Sequence, residues 1–206
     1  MPLDYLISAL ATLIVVVDPI GLVPTFLGVT EGMSAAHRRS VAMRAAVVAA
    51  LVLMGAAVIG DWLLSKLGIT LPAFRIAGGL LLFSIASEMV FGVRIERQTK
   101  TAEQAIEERV RNIAAFPLAI PLMAGPGAIT ATVLLAGQAN GRPLLLASLI
   151  GIIVAVGLAC LGVFLLAGQI GRLIGTTGNV VLSRLLGVIL AALRSEERRV
   201  GKECRL

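Results

Sequence analysis

The segment LLLASLIGIIVAVGLACLGVFLLAGQI, residues 144–170, decides the fold class of this chain. It runs for 27 residues without an Asp, Glu, Lys, Arg or His, whereas about 20 apolar residues suffice for one helical crossing of a bilayer. A transmembrane β-barrel would show shorter segments of alternating polarity instead. The pattern therefore predicts a transmembrane α-helix.

Five other apolar segments resemble it, and together the six predict an all-α polytopic membrane protein. The chain is 58% hydrophobic and 15% charged, which is outside the range of soluble domains. The other segments cover residues 5–29, 41–67, 73–92, 113–138 and 180–193. We expect residues 1–193 to form one membrane domain with the lipid bilayer as its solvent.

The basic residues predict the orientation of the chain. The net charge is +6, but Lys and Arg lie in short loops and in the tail, so we expect lipid headgroups rather than nucleic acid as their partners. Most fall in loops that are cytoplasmic if the N-terminus faces outward. We therefore predict a bacterial inner-membrane protein with an outward N-terminus. Residues 94–111 form a charged cytoplasmic loop, either helical and solvated or a plain linker.

The C-terminal tail, residues 194–206, does not fit this arrangement. Its five basic residues would lie on the outer side, and the sixth segment before it, about 14 residues long, is too short for a full span. Our hypothesis is that the tail is foreign to the membrane domain and replaces the end of the sixth helix. The competing interpretation is a short interfacial helix.

Two short matches indicate an internal repeat. The sequence Asp18-Pro19-Ile20-Gly21 corresponds to Gly125-Pro126-Gly127-Ala128, and Arg75-Ile76-Ala77-Gly78 corresponds to Arg184-Leu185-Leu186-Gly187. Both offsets are about half the chain, giving repeats at about 1–92 and 113–193. Each half holds three spans, an odd number, so the second half would be inverted relative to the first, as in many secondary transporters.

The first and fourth segments are predicted to be broken helices. Proline and glycine interrupt both of them, and proline inside a helix costs roughly 3 kcal/mol. Irregular backbone at membrane depth is tolerated where it is buried in protein or lines a polar cavity. We therefore expect an internal substrate-binding or coupling site, although simple kinks are the alternative. Its candidate residues are Asp18, Pro19, Gly21, Pro24, Gly125, Pro126, Gly127, Ala128 and Thr130.

Asp18 is the most informative residue of this set. A carboxylate near the middle of a span costs about 2.5–3.5 kcal/mol on insertion scales, so it needs a compensating partner. A proton, a sodium ion, a substrate ammonium or a hydroxyl group would serve. The alternative is that Asp18 caps the half-helix that begins at Pro19.

Four other residues are secondary candidates: Arg75, Ser84, Glu88 and Arg184. Ser84 and Glu88 are one helical turn apart and could line a path, although snorkelling of Glu88 to the headgroups is the alternative. Each arginine lies at the start of its helix, where a cation opposes the helix dipole and needs an anionic partner. No nucleophile–base pair, metal-ligand pattern or nucleotide loop is present in the sequence. We therefore expect neither enzymatic activity nor a metal or other cofactor.

The sequence resembles the MarC family of inner-membrane proteins. The resemblance is carried by the segments VDPIG at 17–21, FRIAGGL at 74–80, FPLAIP at 116–121 and GPGAIT at 125–130, and it covers essentially residues 1–193. It implies a six-span protein and suggests proton-coupled transport of small neutral amino acids such as alanine or glycine. Family members continue with an apolar end to the sixth helix, from which the basic tail departs.

Our leading hypothesis is a secondary transporter for small neutral amino acids or similar metabolites. Asp18 would carry a coupling proton or contact the substrate amine, with sodium as the other candidate ion. Backbone N–H groups near Gly125, Gly127 and Ala128 would hold the carboxylate, and Thr130 would line the site. The alternative is a non-transporting assembly or regulatory subunit, and the sequence leaves a homo-oligomer open.

Overall fold

The described part of the chain is entirely helical. The computed structural model describes residues 2–94, 97–98, 100, 119, 122–139 and 142–203, and within these ranges there are seven α-helices and no strand. The helices are α1 (Pro2–Val17), α2 (Val23–Val29), α3 (Ala35–Lys66), α4 (Leu71–Phe91), α5 (Pro126–Gln138), α6 (Pro143–Leu165) and α7 (Ala167–Glu203). The prediction of an all-α protein is confirmed.

Helices α3 and α4 begin where the local sequence supplies a cap. The Ser34 hydroxyl accepts a hydrogen bond from the backbone N–H of His37 at 3.3 Å, and the Thr70 hydroxyl accepts one from Ala73 at 3.4 Å. These contacts satisfy backbone donors that the first helical turn leaves without a partner. Helix α4 ends at Phe91 and is capped by Gly92, which has φ 81°. These capping residues place the helix boundaries close to the predicted segments.

Three helices are each long and apolar enough to cross a bilayer: α3, α4 and α6. A fourth candidate is a bent pair within α7, in which Ala167–Leu173 and Gly178–Ala192 meet at 94°. The bend lies at Gly175, whose φ of 63° and ψ of −179° are outside the helical region and suit glycine. Large apolar side chains such as Leu51, Val58 and Phe83 are exposed on the outside, as expected where lipid is the solvent.

The interior is packed through small residues. Helix α3 buries Ala42, Ala45, Ala49 and Ala57 along one side, and its neighbours are α5 and α6. Helix α4 packs mainly against α7 and α5, and α1 packs against α5, α6 and α7. Small side chains let helix backbones approach closely in a membrane, where the hydrophobic effect does not drive association. This packing encloses the C-terminal half of α1.

The first segment is broken as the sequence predicts. Helix α1 stops at Val17, and α2 begins at Val23, so the residues between them form a turn inside the bundle. In the fourth segment, Gly125 has extended backbone, with φ −72° and ψ 173°, directly before α5. Pro117 and Pro121, two further prolines of this segment, lie outside the described residues.

The predicted boundary between the fifth and sixth segments differs from the structure. The fifth segment was expected to continue to residue 170, but α6 ends at Leu165 and α7 starts at Ala167. The sixth segment was expected to begin at 180, whereas the helical residues of α7 begin 13 positions earlier and turn at Gly175. Both differences arise because the mostly apolar residues 167–170 continue the hydropathy of α6, although their backbone belongs to the bent helix α7.

Candidate functional site

The site begins at the break after α1. The Asp18 N–H still donates to the Ile14 carbonyl at 2.9 Å, but Asp18 has φ 52°, which ends the helix. Pro19 follows and has no N–H to donate, so it cannot bond to the carbonyl one turn back. The chain then turns through Ile20 and Gly21 into α2. The last carbonyls of α1 are therefore left to be satisfied by other parts of the protein.

The Asp18 carboxylate is buried and accepts two hydrogen bonds. Its Oδ1 accepts the Gly21 N–H at 3.0 Å, and its Oδ2 accepts the Ser183 hydroxyl of α7 at 2.8 Å. Only 2% of Asp18 is exposed. The bond to Gly21 is the capping geometry given above as the alternative to a functional role. The bond to Ser183 joins the break to α7, so Asp18 does more than close its own turn.

Gly21 is required by the position of this carboxylate. A Cβ atom on residue 21 would lie 2.1 Å from Asp18 Oδ2 and 2.6 Å from Asp18 Cγ. Both distances are far below van der Waals contact, so any larger residue would displace the Asp18 side chain.

Arg94 closes the broken end of α1 from the other side. Its Nη2 donates to the Val16 carbonyl, and its Nη1 lies 3.1 Å from Met89 Sδ. A cation is favourable at the C-terminal end of a helix, where the dipole is negative. Burial lowers the pKa of Arg94, and the negative charge of Asp18 opposes that shift. Arg94 therefore supplies both a donor to the freed backbone and a positive charge beside Asp18.

A cavity of about 270 Å³ lies next to Arg94. Its wall includes Val16 at the end of α1 and Ile85 of α4. The other lining residues are Arg94, Arg97, Gln98, Leu122, Gly125, Pro126, Gly127 and Ala128. The N-terminus of α5 thus borders the cavity, and no side chain caps that helix.

A second cavity, of about 340 Å³, lies on the α2 side of the break. Ile20, Pro24 and Leu27 line it together with Gly171 and Asn179 of α7. Asn179 is one helical turn before Ser183. Its side chain is buried, and its Oδ1 has no hydrogen-bond partner within the described residues. Val16 and Ile20 thus line different cavities, and Asp18 lies between them in the chain.

Comparison with known proteins identifies the family. The model of the MarC family, described as integral membrane proteins, matches residues 3–196. The chain belongs to the MarC family. A UPF0056 membrane protein of Methanocaldococcus jannaschii is 35% identical, over 94% of this chain and 93% of the relative.

Relatives in two bacteria extend this result. The UPF0056 membrane protein YhcE of Escherichia coli is 35% identical over 89% of this chain and 85% of its own length. The UPF0056 membrane protein YvbG of Bacillus subtilis is 32% identical over 94% and 92%. No solved structure matches this chain significantly. The family assignment establishes a multi-pass integral membrane protein.

The structure of this MarC-family chain brings together some of the predicted site residues. Gly125, Pro126, Gly127 and Ala128 line the 270 Å³ cavity, and a Cβ on Gly127 would lie 3.4 Å from Val16 Cγ1 of α1. The two interruptions are therefore neighbours in space. Asp18 and Pro19 are not among the residues lining either of these cavities.

The remaining candidates lie elsewhere in the MarC-family bundle. Thr130 is buried against α4, where its Cγ2 would be 2.6 Å from a Cβ on Gly78. Arg75, Ser84 and Arg184 are exposed. Nη2 of Arg184 would lie 3.5 Å from a Cβ on Gly92, beside the end of α4.

Glu88 forms an ion pair. Its Oε1 pairs with Arg97 Nη1 at 2.8 Å. The pair lies near the end of α4, and Arg97 also lines the 270 Å³ cavity. Ser84, one turn earlier, is exposed.

Sequence reasoning missed four polar residues at this site. Arg94 was placed in a solvated loop, but it is 6% exposed; Gln98, Asn179 and Ser183 are also buried. Asn179 and Ser183 carried a signal, because two polar residues four positions apart in an apolar segment lie on one helix face. Arg94 and Gln98 carried none, because their surroundings in the sequence are charged.

Proposed function

We propose that this MarC-family protein is a secondary transporter of small neutral amino acids, driven by a proton gradient across the bacterial cytoplasmic membrane. It is not an enzyme, and its N-terminus faces outward. Its fold consists of six spans in two inverted repeats. The observation that carries the proposal is a buried carboxylate, Asp18, at a helix break. Val16, before it in the chain, lines one cavity, and Ile20, after it, lines another.

The packing of the helices supports the inverted repeat. The second helices of the two halves, α3 and α6, pack against each other, and so do the third helices, α4 and α7. Helices α1 and α5, which adjoin the two interruptions, are also neighbours. A two-fold axis between the halves would bring each helix next to its own equivalent.

The size of the cavities supports a small substrate. Pockets for drug-sized ligands have volumes of about 300–1,000 Å³, and the cavity beside Arg94 is about 270 Å³. It combines apolar walls with the Arg94 guanidinium and the N-terminus of α5. A small zwitterion with a short side chain suits such a site. The alternative function, an assembly or regulatory subunit, would need no internal cavity.

Proton binding at Asp18 is supported by its contact with Ser183. A hydroxyl both donates and accepts hydrogen bonds. Ser183 therefore donates to an ionised Asp18, and it can accept from a protonated one without moving away. A proton can thus be taken up or released while the contact between α1 and α7 is kept.

Transport into proteoliposomes tests this role of Asp18. In Asp18→Asn the side-chain oxygen still accepts the Gly21 N–H, so the fold is retained. We expect this variant to lose alanine accumulation driven by an inward proton gradient but to keep exchange of labelled for unlabelled alanine. Asp61→Asn, which removes a carboxylate from α3, is the matched control and should accumulate alanine normally.

Three outcomes would oppose the proposal. Equal gradient-driven uptake by wild type and Asp18→Asn would remove Asp18 from the coupling step. Uptake driven by a sodium gradient alone would replace the proton as the coupling ion. The absence of flux for alanine, glycine and serine in folded wild-type protein would reject the substrate class.

A further inference from the structure

Arg94 carries a buried charge without an ion pair. Only 6% of its surface is exposed. Among the residues that the structure describes, no carboxylate lies within 4.0 Å of its guanidinium nitrogens, and its side-chain partners are the Val16 carbonyl and Met89 Sδ. Burial of a charge without a contacting counter-ion is costly, and the more distant negative charge of Asp18 opposes only part of that cost. A guanidinium also has five N–H donors to satisfy. An anion in the adjoining cavity would provide the missing partner.

The rest of the cavity wall also favours an anion. None of the described residues that line it is acidic, and a second arginine, Arg97, lies at the same cavity. Gln98, which carries a side-chain amide, is 5% exposed and lines the cavity. The first turn of α5 adds the backbone N–H groups of Gly127 and Ala128, which have no intrahelical partner. Three different kinds of donor therefore border the same space.

We propose that this cavity binds a carboxylate and that Arg94, together with Gln98 and the N-terminus of α5, is its binding group. Arginine suits this role because its planar fork of donors matches a carboxylate. The identification of the ligand as an amino acid rests on the proposed function, but the carboxylate site itself does not. The new element is the assignment of the ligand's negative charge to Arg94, a residue from the segment after α4.

The competing source of an oxyanion is the headgroup phosphate of an anionic lipid such as phosphatidylglycerol. A soluble carboxylate enters from the aqueous solution, whereas a headgroup belongs to the bilayer, so a bilayer of defined composition distinguishes the two. Nanodiscs made of phosphatidylcholine alone hold the whole chain in a bilayer without anionic lipid. Binding of labelled L-alanine there, and its competition by propionate but not by alaninamide, would identify a carboxylate from solution.

Substitutions at the cavity test the binding group. Arg94→Gln should weaken alanine binding by about 10- to 100-fold, the loss expected for a charged hydrogen bond. Gln98→Glu should abolish binding, because the new carboxylate would itself pair with Arg94. This variant should melt at or above the wild-type temperature, so its loss of binding would not reflect misfolding. Arg44→Gln, which removes an exposed arginine of α3 outside the cavity, is the control and should bind normally.

Each outcome bears on a different claim. If alanine binds with wild-type affinity to folded Arg94→Gln or Gln98→Glu, the carboxylate site is wrong while the transport proposal stands. If propionate binds in an Arg94-dependent way but no amino acid does, the site stands and the amino-acid substrate is wrong. If neither binds, or if binding requires phosphatidylglycerol, the site is not one for a soluble carboxylate.

Discussion

Replacement of Gly21 by alanine tests the geometry of the break most directly. The new Cβ would lie 2.1 Å from Asp18 Oδ2, 2.6 Å from Cγ and 2.9 Å from Oδ1. The carboxylate must therefore move by on the order of 1 Å, which is enough to end hydrogen bonds that start at 2.8 and 3.0 Å. The backbone at residue 21 does not have positive φ, so alanine brings no conformational strain of its own.

The expected loss of stability follows from these two bonds. Hydrogen bonds to a charged group contribute about 1.5–3 kcal/mol each, so losing both costs about 3–6 kcal/mol. Alanine recovers about 0.5–1 kcal/mol through the smaller conformational freedom of the unfolded chain. We expect Gly21→Ala to lower the free energy of unfolding by roughly 2–5 kcal/mol.

Reversible unfolding in mixed micelles by sodium dodecyl sulfate, followed by circular dichroism, measures this change. Gly28→Ala in α2 is the matched control, because nothing lies within 4 Å of its new Cβ, and we expect it to be neutral or slightly stabilising. A double-mutant cycle isolates the clash: in an Asp18→Ala background, Gly21→Ala should cost less than about 1 kcal/mol. An equal cost in both backgrounds, or no cost in the wild type, would falsify the proposed contact.

Three further substitutions probe the bundle by the same unfolding measurement. Gly187→Ala should lower the free energy of unfolding by about 1–3 kcal/mol, because its Cβ would lie 2.9 Å from a backbone carbonyl of α4. Gly162→Ala, which has open space around its new Cβ, is the control. Equal stability of the two variants would contradict close packing of α4 and α7. Gly92→Ala should lower the free energy of unfolding by about 1–2 kcal/mol, because residue 92 has φ 81°. Gly92→Asn should lower it less, because asparagine tolerates this conformation better. The reverse order would be inconsistent with a left-handed cap. Ser183→Ala should lower the free energy of unfolding by about 1–3 kcal/mol, because it leaves Asp18 Oδ2 without its buried donor. Ser183→Thr keeps the hydroxyl and should recover part of the loss. Unchanged stability of Ser183→Ala would show that the contact is unimportant.

The sequence by itself determined the membrane class, the approximate helices and the two interruptions of the chain. These properties depend on local composition: a long apolar segment must be helical in lipid, and Asp18-Pro19 or Gly125-Pro126 cannot continue a helix wherever the rest of the protein lies. The family resemblance came from the same local segments, and comparison with known proteins confirmed it. The hypothesis that residues 194–206 are foreign stays a prediction; the match to the family extends to residue 196.

Only the tertiary structure decided which groups surround the break. Ser183 reaches Asp18 across 165 positions of the chain, and Arg94 reaches Val16 across 78. The charged residues around Arg94 in the sequence predicted a solvated side chain. In the structure, Arg94 follows the end of α4 and lies next to the break, where the Val16 carbonyl accepts its hydrogen bond. Hydropathy is a property of single segments, whereas the pairing of a buried carboxylate with a hydroxyl, or of a helix end with a guanidinium, depends on how separate segments pack.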